Sequence, residues 1–171
     1  MESKIQFGKQ TMRECFRSAS FRGKAALLLS SWFGLGLAPK APGTVGTIGA
    51  IPLVLIISFF TIPYEILTII AFILLSIWVS EVSRRLMGRE DPQVVVIDEV
   101  AGLLLTLFLI PVSLFSVVSG FVLFRFFDIL KPFPVGLIDR KVKGGFGVVL
   151  DDLMAGLYAN LCLSIILFFT G

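Results

Sequence analysis

Six carboxylates stand out for the company they keep: Asp98, Glu99, Asp128, Asp139, Asp151 and Asp152, interleaved with Arg125, Lys131 and Arg140. They make up half of the chain's 12 acidic residues. Arg125, Asp128 and Lys131 follow one another at intervals of three, so on a helix they form one stripe, which Pro132 and Pro134 bring to an end. Asp98-Glu99 and Asp151-Asp152 each open an apolar run, where one acid of each pair suits the positive end of a helix dipole. Capping leaves the other acids, and the bases between them, without a purpose. Hard oxygen donors free of imidazole and thiolate suit Mg²⁺, which takes a few carboxylates, keeps waters and binds a substrate phosphate. Arg grips phosphate bidentately and Lys neutralises it as a point charge. The chemistry implied is phosphoryl transfer.

Two glycine-rich segments extend this set. Pro39, Pro42, Gly43, Thr44 and Gly46 place small residues, hydroxyls and free amides ahead of an apolar run, an arrangement that binds anions at a helix N-terminus. The segment lacks the Gly-Lys-Ser/Thr ending of a Walker loop. Lys143-Gly144-Gly145-Phe146-Gly147 reads as a loop that lets backbone approach a headgroup. The chain has no His, which removes Ser-His-Asp triads, phosphohistidine chemistry and imidazole zinc sites. Cys15 and Cys162 are too few for a disulfide scaffold, and Cys15-x6-Arg22 is one residue too long for a Cys-x5-Arg phosphate loop.

The elements that must position these groups are membrane helices. Over 171 residues the chain is 56% hydrophobic, with 17 Phe and only 16% charged residues, and its mean hydropathy is +0.95. That is too apolar for a water-soluble globule, and it excludes disorder and low-complexity linkers. The net charge of +3 is dispersed among apolar runs, which suits leaflet orientation and not nucleic-acid binding. Residues 1–24 carry six cations against Glu2 and Glu14, so the positive-inside rule sets them in the cytosol, ahead of a membrane domain over 25–171. The run 25–38 is too short to span and predicts an interfacial or re-entrant helix broken at Gly34 and Gly36. Residues 48–61 predict a membrane helix stopped by Pro63, and 66–80 a return that ends at the cytosolic cluster Arg84, Arg85 and Arg89. Between Glu99 and Arg125, Pro111 favours a hairpin over one long span, which brings Asp98 and Arg125 to the same face. Residues 153–170 predict the last helix. The fold class is all-α, a polytopic bundle of about four to five membrane helices plus the N-terminal interfacial helix.

In order, Pro39-x-x-Pro42-Gly43-Thr44-x-Gly46, Asp98-Glu99, Phe124-Arg125-x-x-Asp128-x-x-Lys131-Pro132-x-Pro134, Asp139-Arg140 and Gly144-Gly145-x-Gly147-x-x-x-Asp151-Asp152-x-x-Ala155-Gly156 resemble the phosphatidylglycerophosphatase A family. The resemblance covers roughly residues 30–170 and implies a Mg²⁺-dependent lipid phosphatase of the bacterial inner membrane. Its substrate would be phosphatidylglycerol phosphate and its site would face the cytosol. On that reading Asp98, Glu99, Asp128 and Asp152 are the metal-ligand candidates, with Asp139 and Asp151 as outer ligands or general bases. Arg125, Lys131 and Arg140 would hold the phosphomonoester, and Pro42, Gly43, Thr44, Gly46, Gly144 and Gly145 would approach the headgroup. The nucleophile stays open between water activated by the cation and an aspartate that is itself phosphorylated. A CDP-alcohol phosphatidyltransferase is disfavoured, for its Asp-Gly-x2-Ala-Arg run is missing. A small transporter or channel is disfavoured because the acids gather at one face and do not line a whole span.

Overall fold

The computed structural model describes residues 11–170, which form eight α-helices, one 3₁₀ turn and no strand. Helix α1 (Met12–Ser18) opens at Thr11, whose N–H donates to Glu14 Oε2 at 2.8 Å. Helix α2 (Phe21–Ser30) is capped by Ser20, whose hydroxyl accepts from Gly23 N. The boundary drawn between residues 24 and 25 therefore falls inside α2, and residues 1–10 lie outside the described residues. The expected break after α2 comes earlier than Gly34: Trp32 and Phe33 already take positive φ values of 46° and 57°, followed by Gly34 and a 3₁₀ turn at Leu35–Leu37. The Trp32 indole holds the reversal by donating to Gly49 O at 2.9 Å.

Helix α3 (Pro42–Ile57) begins six residues before the apolar run that announced it, with Pro42 in its first turn. Pro63 is not a stop. It lies in the first turn of α4 (Ile62–Met87), where its missing N–H has no helical partner to lose. Gly88, in the left-handed conformation, ends that helix. The hairpin forms as the sequence implied, from α5 (Ile97–Thr106) and α6 (Leu114–Leu130), with Pro111 in the connection and Ser113 capping α6. Helix α7 (Val135–Lys141) is short, and α8 (Gly144–Thr170) runs 27 residues. The 143–147 segment is thus largely the first turn of α8 and not a free loop.

Helix α8 is the axis of the bundle, packed by α4, α5, α6 and α7. Its approach to α5 rests on glycines: a Cβ on Gly156 would lie 2.5 Å from Gly102 O, and one on Gly102 would enter the ring of the fully buried Phe124. Thr106 donates to Gly102 O, and Asn160 on α8 donates to the Thr106 carbonyl at the end of α5 and to the Phe108 carbonyl just beyond it. Around this contact Val100, Leu103, Phe124, Ala155, Ala159 and Leu163 form the core.

Among the described residues two helices are long and apolar enough to cross a membrane, α4 with 26 residues and α8 with 27. Only 28% and 22% of their most apolar windows are buried, so most of that surface faces outward, as a lipid-facing helix requires. Helix α3 is apolar but shorter.

Candidate active site

The N-terminal ends of α3, α5 and α8 meet the C-terminal end of α6 around a cavity of about 520 Å³. Asp98 and Glu99 enter it from the first turn of α5, and Asp152 enters from α8. One oxygen from each of these three lies within 4.8 Å of the others. The Gly102–Gly156 contact makes this possible, because it lets α5 and α8 pass at a separation no larger residue allows. Asp98 and Asp152 are only 6% and 5% exposed. Asp128 reaches the same cavity from α6 and sits 2.6 Å from Arg125 Nη1, while Glu99 Oε1 is 3.9 Å from that nitrogen. Elsewhere in the lining Lys131 Nζ donates to Asp139 at 2.8 Å and to Asp151 at 2.7 Å. Lys131 follows α6 in a left-handed conformation, φ 47°, which turns the chain toward α7. Burial acts to lower the Lys131 pKa, but the hydrogen bonds to Asp139 and Asp151 overcome it, so the ammonium stays above its ordinary value and charged.

Gly43 has a clear steric reason to be glycine. A Cβ there would strike Glu99 Oε1 and come within 3.2 Å of Arg125 Nη1, so the start of α3 presses bare backbone against the acid and the guanidinium. Pro42 and Gly144 line the cavity too, whereas Thr44, Gly46, Gly145 and Arg140 do not. Gly46 packs on Val96, its hypothetical Cβ 2.7 Å from the valine's. Gly145 turns toward α4, and Arg140 is exposed on α7.

The structure adds groups that the sequence reading passed over. Glu90, Asp91, Gln93 and Lys143 line the cavity. Glu90-Asp91 is the chain's other adjacent acid pair, the same signature as Asp98-Glu99 and Asp151-Asp152, but it sits beside arginines that invite a topological reading. Glu81 on α4 was also missed. It accepts from Arg84 Nη2 at 3.0 Å, from Arg85, and from the Gly145 N–H at 2.7 Å, so it fixes the first turn of α8 to α4.

Among the described residues, eight carboxyl groups and three cationic side chains line the cavity, a formal surplus of five negative charges. A phosphate dianion does not enter such a space unless cations join it. Glu99 Oε2 and Arg125 Nε are buried without a hydrogen-bond partner, although the carboxylates and the guanidinium stand close together. An all-oxygen donor set with an unsatisfied buried oxygen fits a hard divalent cation, held by Asp98, Glu99 and Asp152.

The sequence model described as phosphatidylglycerophosphatase A matches residues 28–167. The chain belongs to that family. A phosphatidylglycerophosphatase A of Escherichia coli is 35% identical over 147 residues, 84% of this chain and 82% of its own length. That of Haemophilus influenzae is 40% identical over 135 residues, 77% of this chain and 82% of its own. A Bacteroides thetaiotaomicron protein, named as a proposed phosphatidylinositol-3-phosphatase, is 34% identical over 148 residues, 81% of this chain and 91% of its own. No solved structure matches the chain. As a member of the phosphatidylglycerophosphatase A family, the protein is a phosphatase of lipid metabolism. The acid and base blocks quoted from its sequence all fall within the matched residues.

Proposed function

We propose that this phosphatase hydrolyses the terminal phosphomonoester of phosphatidylglycerol phosphate with Mg²⁺, at the cytosolic face of a bacterial inner membrane that the chain crosses several times. The cavity's surplus of acids around one guanidinium and two ammoniums carries the reading, for that balance suits a phosphate arriving with divalent metal. Asp98, Glu99 and Asp152 would hold the cation, and Asp128 joins them through its pair with Arg125. When bound, Mg²⁺ supplies positive charge to the phosphoryl oxygens.

Arg125 offers the phosphate its unpartnered N–H groups, and Lys131 adds a second charge in the cavity. Water attacks phosphorus, the bond from phosphorus to the glycerol oxygen breaks, and that oxygen takes a proton. Asp151 and Asp139, each hydrogen-bonded to Lys131, are the candidates to accept the proton from water and return one to the leaving oxygen. Arg140, exposed and off the cavity, has its place at the mouth, against the glycerol or a neighbouring headgroup. The hairpin of α5 and α6, with α3, α4 and α8, would put four to five helices in the bilayer. The basic residues before 24 and the cluster at Arg84, Arg85 and Arg89 would then lie on the cytosolic side with the site.

The test is phosphate release from phosphatidylglycerol phosphate and from phosphatidic acid in mixed micelles, with and without Mg²⁺. Mg²⁺-dependent release that favours the former is expected. Absence of release from either lipid, with ion flux in liposomes, would replace the enzyme by a transporter.

A further inference from the structure

A second cavity, of about 470 Å³, lies outside the catalytic centre, between α1, α2 and the 3₁₀ turn. Met12, Phe16, Leu28 and Leu37 give it an apolar floor, and the guanidinium-bearing Arg13 and Arg17 stand at its edge. Residues 12, 13, 16 and 17 share one face of α1, while Cys15, on the other side of that helix, is buried against Leu27 and Met87. Phe16 and Leu37 remain 39% and 51% exposed, and Lys24 Nζ lies 5.9 Å from the centre of the Phe16 ring. Among the described residues neither Arg13 nor Arg17 pairs with a carboxylate.

An open apolar groove with two unneutralised guanidiniums on one rim matches the two halves of an anionic phospholipid, an acyl chain and a phosphodiester. We propose that this groove is a binding site for one anionic phospholipid of the surrounding membrane, distinct from the substrate pocket, with the lipid phosphate between Arg13 and Arg17. Charge complementarity selects the lipid class: a zwitterionic headgroup brings an ammonium toward the same rim and loses the advantage. Most of the groove precedes or borders the start of the family match at residue 28, so it belongs to a part of the chain that the shared catalytic blocks do not explain.

The groove also adjoins the site. Leu37 lines one cavity and Pro39, two residues on, the other, and Gly36 beside Leu37 is packed so closely on Val94 that a Cβ would collide with the Val94 carbonyl. The 3₁₀ turn is therefore a wall between bound lipid and the loop that carries Asp91 and Gln93. A lipid seated there braces that wall, and it holds α1 and α2 at the membrane surface beside the substrate entrance.

Native mass spectrometry of the full chain, released from micelles containing dioleoyl phosphatidylglycerol or dioleoyl phosphatidylcholine, tests the proposal by counting retained lipids without reference to turnover. Wild type is expected to retain one phosphatidylglycerol more than Arg13→Gln/Arg17→Gln, with an affinity drop of about tenfold or more at that site. Leu37→Trp, which fills the groove without altering charge, should lose the same lipid. Phosphatidylcholine should not be retained there. Equal retention of the two lipids, or unchanged retention by both variants, overturns the proposal. Lipid held at the catalytic centre is common to wild type and both variants, so failure of the lipid phosphatase reading would leave the difference between them unaltered, and the two claims fail separately.

Discussion

Arg125 and Asp128 illustrate how much one pair carries, since the same guanidinium faces Glu99, and its Nε has no hydrogen-bond partner. Asp128→Asn removes a negative charge at 2.6 Å from Arg125 and changes what the guanidinium can present. Phosphate release should fall by about 10²-fold or more, the scale of losing one preorganised electrostatic group. The variant should still reach the membrane fraction in wild-type amount. Turnover near wild type would remove Asp128 from the site. Lys131 makes a different prediction. Its folded pKa is raised, so the stability it gives through Asp139 and Asp151 is fully present below the ordinary lysine value of about 10.4 and is lost only as pH climbs through the folded value. In denaturant titrations the stability lost in Lys131→Met should therefore persist undiminished from pH 7 to 9. Disappearance of that difference within the window contradicts the pairing. Glu81 acts through α8: Glu81→Ala takes an acceptor from Arg84, Arg85 and the Gly145 N–H, at a cost of about 1–3 kcal/mol. As a positioning group it should lower kcat with little change in KM, and Glu81→Gln, which keeps an acceptor for Gly145, should restore part of the loss. A purely structural role would move only stability.

Helix contacts set the distances those residues need. Gly102→Ala pushes a methyl into Phe124, with Asp152 O already 3.0 Å from the added carbon. Overpacking there should cost about 1–3 kcal/mol, read as a lower unfolding temperature, and activity should drop further as α5 moves off α8. A stable and fully active Gly102→Ala would mean that the helix separation does not govern the site. Elements of this kind were only partly legible beforehand. The hairpin was readable because Pro111 interrupts an uncharged run whose two ends carry charge. Helix starts were harder. Pro63 reads as a terminator yet fits equally well in a first turn, and the glycines at 144–147 read as loop because smallness needed for contact looks, in one dimension, like freedom to turn. Of the candidate site, the acids on α5, α6 and α8 were visible from their spacing. Asp91 was not, since loop geometry alone brings it to the cavity.

Charge distribution is a property of the whole molecule. Gathering eight carboxyl groups at one cavity makes the protein a poor fold until something offsets them. Mg²⁺ should raise the unfolding temperature in detergent and a chelator should lower it; saturation at about 100 times Kd corresponds to about 2.7 kcal/mol. Asp98→Asn/Asp152→Asn should be more stable than wild type without the ion and nearly indifferent to it. An unresponsive wild type would argue against a divalent centre. The bundle's length is uneven too, for α8 runs nearly three times as far as α5. Where α5 gives out, the Asn160 amide closes off two peptide oxygens that the end of the helix would otherwise leave bare. A truncated arm and that amide are thus one inheritance. Chains with an aliphatic residue in place of Asn160 should carry a longer arm that satisfies those oxygens within the helix, and a lineage that lost the amide without lengthening the arm should unfold at a lower temperature.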